Sequence, residues 1–595
     1  IRPSSTSGQA IVFRREQTLY LTQGPVTDPT NNNMFVPGGG APSLWALVYE
    51  YFFNYHILSG EMVPWLAERY EYTDDYTKMK VYLRKGVAWS DGKPFTADDV
   101  VFTYQMEFNY TALSYSAAIR ANIAEVRKID NYTIEYTLKS RNPVFHLNGQ
   151  VFPAGATYPC FTIMPKHIWQ GKDPMTFKNN PPVGTGCYSL IYRDEMTTIY
   201  ERRDDWWATK LFGIRPGPKN IVHRNLGTSE SVASALASND LDLTYMGQQL
   251  AMGLFKQVTQ TNPHVRSYSR SIPMAFPSTW TDDVYINNEK YPWNLKEVRH
   301  ALNYLINRDV IVSIATENTM STCYTPFGRL SVEASGFKPF WDKVKSIFAK
   351  YEINVYSPAK ATAIFESLGF KKGTDGIWVT PNGTRLEAIL RVGSEADPVE
   401  YVRPAQIIAQ QLSEGGIAVR LEALTGVISS EKVNKGDFDF AVGAKTGVVP
   451  LPTFRLYEYH SKYWKPIGEL ASLNQWRFKN ATFDAIVDEM EKTLPTDTAK
   501  LVSLFTQAME IFCDQLPEIP THSPDKLVQA NTYYWTNFPF SDNPYAVFGS
   551  PHWPQFIWWV AGYISPTTGD WVGGLRPTQI DYAITYFTKL SLIHI

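Results

Sequence analysis

The sequence predicts an α/β protein divided among two to four domains. A chain of 595 residues is too long to be organised around one core. Between residues 285 and 528, helical spacing at 295–307, 358–368 and 403–414 alternates with strand-like runs at 384–392 and 418–424, the βα pattern of an α/β lobe. Upstream, Met79, Val81 and Leu83 alternate with Lys80, Tyr82 and Arg84 as in a half-buried strand. Ser90-Asp91-Gly92 then supplies a turn, and Thr96 an N-cap, with Asp98 and Asp99 placed at the positive end of a helix dipole.

Taken in order, the first 50 residues hold a polar lead and candidate strands at 11–13 and 19–21. A loop with Asn31-Asn32-Asn33 and Gly38-Gly39-Gly40 follows, then a helix expected over 45–49. The triple glycine lacks the spacing and the acidic partner of a nucleotide-binding loop. Short strands are expected in 51–181, including 133–138, and Pro181-Pro182 marks the exit of that region. Strands follow at 187–192 and 197–202, a helix at 229–241 and a strand at 243–246. A stretch rich in Pro, Ser and Thr at 273–283 reads as the first interdomain crossing. The second crossing is expected near 531–539, ahead of an aromatic patch that includes Trp553, Trp558 and Trp559.

Five segments carry a family resemblance. Trp89-Ser90-Asp91-Gly92-Lys93-Pro94-Phe95-Thr96-Ala97-Asp98-Asp99-Val100 ahead of an aromatic helix resembles the signature of the family 5 extracellular solute-binding proteins, the peptide, nickel and oligosaccharide receptors of ABC importers. Leu66-Ala67-Glu68, Pro182-Val183-Gly184-Thr185-Gly186-Cys187-Tyr188, Val298-Arg299-His300-Ala301-Leu302 with Asn307-Arg308-Asp309, and Tyr356-Ser357-Pro358-Ala359-Lys360-Ala361 resemble further family segments in the family's order. Cys187 stands where the family has Pro, and Asn307 where Asp is common.

The resemblance implies a periplasmic-binding-protein-like, two-lobed α/β fold of type II with an extra small domain. Lobe I is expected over 1–50, 182–284 and 530–595, the small domain over 51–181, and lobe II over 285–529. Hinges are expected near 273–285 and 525–540. The loop before the first helix borders the ligand cleft in the family, so Phe35, Gly38, Gly39, Gly40 and Trp45 become candidates.

Composition narrows the function classes. A net charge of −2 argues against a nucleic-acid partner. No apolar run approaches the roughly 18 residues of a membrane span. The sequence begins at Ile1 and shows no signal peptide, so an export signal is expected to have been removed or left out. Four scattered cysteines do not build a disulfide scaffold or a metal cluster. If the chain is exported, Cys160 with Cys187 is the first pair to test, with buried free thiols as the alternative.

Catalytic motifs are missing: there is no Gly-x-Ser-x-Gly elbow, no zinc helix and no phosphate loop. The expectation is therefore a receptor without catalytic residues, cofactor or metal. It captures a small ligand between its lobes by hinge closure and presents the closed form to an ABC transporter permease. It is expected to be a monomer, periplasmic or at the extracellular cell surface, with a lipid anchor as one form.

The ligand class turns on aromatic content and on one position. Trp, Tyr and Phe make up 14% of the chain, and an indole's flat apolar face with one N–H suits a sugar ring. By resemblance, peptide-binding members carry an Asp about nine residues beyond the Phe-Asp of a third-domain strand. The matching residue here is Val448, and 440–457 contains no carboxylate. A cello- or manno-oligosaccharide is the expected ligand, with an oligopeptide as the alternative and a glycoside hydrolase as the alternative of another class. The candidate ligand-binding residues are Trp45, Trp280, Trp464, Trp535, Trp558, Asn33 and Gly39.

Overall fold

The computed structural model describes residues 13–36, 39–40, 43–155, 160–245, 248–334, 336–393, 398–445, 451–471, 473–546, 548 and 565–567. The chain forms two compact units, one of Ile1–Arg270 with Leu527–Ile595 and one of Ser271–Lys526.

Unit 1 contains two four-stranded sheets. The first runs Thr18–Thr22, Asn220–Arg224, Thr197–Arg202, Tyr188–Arg193; its first pair is parallel and the others antiparallel. Leu243 bridges both Leu21 and Ala530, which ties the returning segment to this sheet. The second sheet is antiparallel, in the order Ala67–Tyr72, Lys78–Leu83, Thr133–Leu138, Ile123–Asp130. It lies within the expected small domain 51–181.

Helix Ala97–Asn109 buries Ala97, Val100 and Tyr104, and Tyr104 donates to the carbonyl of Val151 at 2.7 Å. Its start is held by Asp99. This carboxylate accepts from the Thr96 N–H at 2.9 Å, as a capping-box acid does, and also from the Lys166 N–H at 2.9 Å and the Trp89 indole at 3.3 Å.

The neighbouring motif packs against this knot. Ser90 N–H donates to the Gly184 carbonyl at 2.8 Å, and Arg203 donates to the carbonyls of Gly186 at 2.8 Å and Trp89 at 3.4 Å. The glycines allow a close approach. A Cβ on Gly184 would stand 2.0 Å from the Val48 carbonyl oxygen, and one on Gly186 would stand 2.2 Å from that of Leu47. The two motifs therefore build a folding unit.

Unit 2 is organised on a six-stranded mixed sheet in the order Ser321–Thr322, Glu518–Ser523, Thr281–Ile286, Phe440–Lys445, Glu387–Gly393, Ala418–Leu424. Helices Lys296–Leu305, Pro358–Ser367 and Arg403–Glu414 lie where helical spacing predicts them. Strand Ala418–Leu424 matches its expected bounds, and the 384–392 run forms Glu387–Gly393. Among the described residues, no helix is long and apolar enough to cross a membrane.

Several expectations change. The first crossing falls at 270/271, upstream of 273–285, because Thr281–Ile286 is an inner strand of unit 2's sheet, while the second falls at 526/527, inside the range 525–540. Lobe II accordingly begins before residue 285. The helix expected at 45–49 is a single turn, Leu44–Leu47, and the strand expected at 243–246 is a single bridge at Leu243. Cys160 and Cys187 are both buried and are not joined in a disulfide, nor are buried Cys323 and Cys513. Residues 11 and 12 of the first expected strand lie outside the described residues.

Candidate functional site

In unit 2, strand direction selects one edge of the sheet. Glu387–Gly393 runs parallel to both Ala418–Leu424 and Phe440–Lys445, so all three end at the same edge. Thr281–Ile286 is antiparallel and starts there, with Thr281 opposite Lys445. Glu518–Ser523 ends there, with His522 opposite Asp282. Open α/β sheets bind ligands beyond the carboxyl ends of their parallel strands, so this rim is the candidate site of the unit.

Trp280 stands at this rim with 39% of its surface exposed. Side chains alternate along the following strand. Thr281 donates to the Asp283 carboxylate at 2.9 Å on one face, while Asp282 points to His522 on the other. Trp280 directly precedes this strand, two residues before Asp282.

The Asp282 face carries a charged cluster. His522 Nε2 lies 3.1 Å from the Asp282 carboxylate and 3.1 Å from the Glu400 carbonyl. The Thr521 hydroxyl donates its proton to the Asp282 carbonyl at 2.7 Å, so it accepts from His522 Nδ1 at 3.0 Å. Both imidazole nitrogens thus face acceptors, the arrangement of an imidazolium. Burial opposes that charge, but the Asp282 and Glu400 carboxylates outweigh it and raise the pKa of His522. Burial pushes Asp282 up to about 6, with His522 acting in the opposite direction. The Glu400 carboxylate, 9% exposed, accepts from the Lys526 ammonium at 2.6 Å, and the Lys526 side chain is 46% exposed.

The opposite face is structural. Fully buried Arg455 reaches Glu518 at 2.6 Å, Asp283 at 3.4 Å and Glu458 at 2.5 Å. Burial, with the nearby Glu518 carboxylate, holds Asp283 well above the carboxylate range. The strand start is fixed by Asp525, which accepts from the Ser278 N–H at 2.9 Å and from the hydroxyls of Ser523 and Ser321 at 2.7 Å each.

In unit 1, Asn33, Gly39 and Trp45 belong to one locally constrained stretch. Asn33 is buried, donates to the carbonyls of Pro174 at 2.7 Å and Phe177 at 2.9 Å, and accepts from the Phe35 N–H at 2.9 Å. Its amide group is therefore engaged in holding the loop. A Cβ on Gly39 would fall 1.8 Å from the Asn33 carbonyl oxygen, so this turn requires glycine. Arg193 clamps the same loop through the carbonyls of Asn31 at 3.0 Å and Gly40 at 2.7 Å and the Asn32 side chain at 2.9 Å. Trp45 is 9% exposed, with its ring against Gly40.

The remaining expected residues are dispersed. Trp535 is fully buried, and its indole donates to the Thr18 carbonyl at 3.2 Å, so it packs in the core of unit 1. Trp464 is partly exposed on unit 2, donating to Glu289 at 3.0 Å with the Lys479 ammonium 3.2 Å over its ring. Trp558 and Val448 lie outside the described residues. A shallow polar concavity of about 500 Å³ in unit 1, lined by Arg224, Glu230, Ser231 and Asp240 among others, contains none of the expected residues. Sequence reasoning missed Asp282, His522, Glu400 and Lys526; the only local signal was an acidic pair after Thr279-Trp280-Thr281, at the start of an otherwise apolar strand.

The model for "Bacterial extracellular solute-binding proteins, family 5 Middle" matches residues 61–466, more than half of the chain. The chain belongs to this family. Family 5 proteins are solute-binding receptors of ABC transporters, extracytoplasmic proteins that bind small ligands and work with a permease; they are not enzymes. Among curated relatives, the glutathione-binding protein GsiB of Shigella flexneri is 25% identical over 499 residues, 80% of this chain and 85% of that protein. The dipeptide-binding protein of Escherichia coli K12 is 24% identical over 428 residues, 64% of this chain and 71% of that protein.

Among solved structures, a periplasmic oligopeptide-binding protein of an oligopeptide ABC transporter from Thermotoga maritima is similar at TM-score 0.80 and 25% identity, covering 93% of this family 5 chain and all of that one. The same Thermotoga protein bound to mannohexaose is similar at TM-score 0.74 and 27% identity, covering 94% of this chain and all of that one.

Proposed function

We propose that this receptor captures an oligosaccharide of the cello or manno type, and that binding draws its two units together as hinged lobes for delivery to the permease. The observation that carries the reading is Trp280, an exposed indole at the strand start, two residues before Asp282 and its cluster of hydrogen-bonding groups. A sugar needs both an apolar platform for its ring face and polar partners for its hydroxyls. The Thermotoga neighbour that holds mannohexaose supports the same class. Trp45 and Gly39 of unit 1 are also proposed as ligand contacts, with Asn33 fixing their loop from behind.

A second reading has its own support. The curated relatives include proteins named for glutathione and dipeptides, and the acidic groups at the rim offer partners to a peptide ammonium. The sequence argument against it is the absence of a carboxylate from 440–457.

A thermal-shift screen with cello-, manno- and xylo-oligosaccharides beside di- to pentapeptides tests the assignment, with the ligand recovered and checked by chromatography. Saturation at a hundred times Kd stabilises the native state by about 2.7 kcal/mol. Stabilisation by an oligosaccharide recovered intact is the expected result. Stabilisation by peptides alone would move the protein to the peptide class, and ligand breakdown would move it to the hydrolases.

A further inference from the structure

We propose that Glu400 and Lys526 together form the subsite that grips a pair of adjacent hydroxyls on the ligand, beside the ring platform of Trp280. The inference rests on the oligosaccharide reading and names the polar half of its site.

The pair differs from an ordinary surface ion pair in how it is built. An exposed Lys–Glu pair contributes little and needs no fixed backbone. Here the carboxylate is nearly buried while the ammonium, 2.6 Å away, remains half in solvent. Both backbones are anchored. The Glu400 carbonyl accepts from His522 Nε2, and Lys526 exchanges two backbone hydrogen bonds with Phe276, each 2.9 Å. Immediately before Lys526, the Asp525 carboxylate is held by Ser278, Ser523 and Ser321.

Donor and acceptor are thereby presented about one hydrogen-bond length apart. Adjacent ring hydroxyls have the same spacing. One hydroxyl donates to the Glu400 carboxylate while its neighbour accepts from the Lys526 ammonium, which has three N–H donors to share. Neither ligand group needs a charge. The cluster behind the pair explains how a carboxylate is tolerated in a nearly buried position: the imidazolium of His522 lies against the Glu400 main chain and adds positive charge on the buried side.

The sequence agrees with this placement. Glu400 stands in the short helical segment Pro398–Val402, seven residues beyond the end of the parallel strand Glu387–Gly393, and Lys526 stands three residues beyond the end of Glu518–Ser523, so both follow strands that end at the selected edge of the sheet.

The test is isothermal titration of cellopentaose and mannohexaose into wild type, Lys526→Met, Lys526→Gln, Glu400→Gln and the double variant Lys526→Met/Glu400→Gln. The melting temperature of each unliganded protein is recorded alongside. Lys526→Met is expected to weaken the sugar that binds wild type by at least tenfold while leaving the unliganded melting temperature within a few degrees. Lys526→Gln, which keeps an N–H donor, is expected to recover part of the loss. The double variant is expected to be little worse than the weaker single one, because one diol uses both groups. Wild-type affinity in Lys526→Met would overturn the subsite while leaving the oligosaccharide reading in place. Failure of wild type to bind either sugar would overturn both. Should Glu400→Gln fold poorly, the two Lys526 variants decide the question alone.

Discussion

The imidazole of His522 lies 3.1 Å from the Asp282 carboxylate across two adjacent strands, with both side chains fully shielded from solvent. The pair sits at the carboxyl edge of the parallel strands, with Asp282 two residues beyond the exposed Trp280. Its chemistry links stability, pH and the candidate site.

Stability is expected to fall as pH rises from 6.5 to 8, above the range in which His56, His146, His223 and His300, all depressed by burial, act in the opposite direction. Burial raises Asp242, Asp282 and Asp525 to about 6, Glu50 to about 7 and Glu107 to about 8. Each folded value exceeds the unfolded one, so the native state holds more protons across this window and its stability is lost as pH rises through those values. His522 is also raised, and its contribution, complete below about 6.5, is lost above that in the same direction. Urea midpoints measured at pH 6.5 and pH 8 check the sign; a higher midpoint at pH 8 would contradict it.

Arg455→Met is expected to destabilise unit 2 by about 3–5 kcal/mol, the cost of leaving buried partners of a charge uncompensated. Arg455 is the cation between buried Glu518 and Asp283, and Tyr459 also donates to Glu518. Denaturant titration reads the loss. A change below 1 kcal/mol would show that the acids are neutral without it.

Gly184→Ala is expected to cost about 1–3 kcal/mol or more through overpacking, because its Cβ would meet the Val48 carbonyl oxygen at 2.0 Å. Backbone stands on the other side, so no side-chain rotation relieves the clash. A melting temperature equal to wild type would contradict the packing account of this motif.

Trp535→Ala and Trp280→Ala are expected to separate packing from recognition. Removing fully buried Trp535 costs about 3–5 kcal/mol of stability. Removing Trp280, 39% exposed, leaves the melting temperature nearly unchanged and acts on ligand affinity. Thermal melts of the two variants side by side check the division.

Much of the fold was legible because local patterns and tertiary structure agree. Helix Arg403–Glu414 and strands Thr133–Leu138, Thr197–Arg202 and Ala418–Leu424 fall where their periodicity places them. The run 243–246 misled because its polar neighbours serve other bonds: Asp242 pairs with Arg15, and Thr244 bonds the Gln529 side chain. Among the described residues of the run, Leu243 bridges the sheet. The site was less legible. Trp280 was identified as an aromatic near a crossing, but Glu400 and Lys526 are 126 residues apart, and no local spacing joins them. Trp535 shows the converse limit, since an aromatic beside a crossing serves packing as readily as recognition.

The measurement that tests the central claim most directly is titration of mannohexaose and cellopentaose, with di- to pentapeptides as controls, into wild type and Trp280→Ala at equal folding stability. The account predicts saturable binding of at least one oligosaccharide to wild type, weakened tenfold or more in Trp280→Ala, with no comparable peptide binding. Peptide binding alone, or equal sugar affinity in the two proteins, would contradict it.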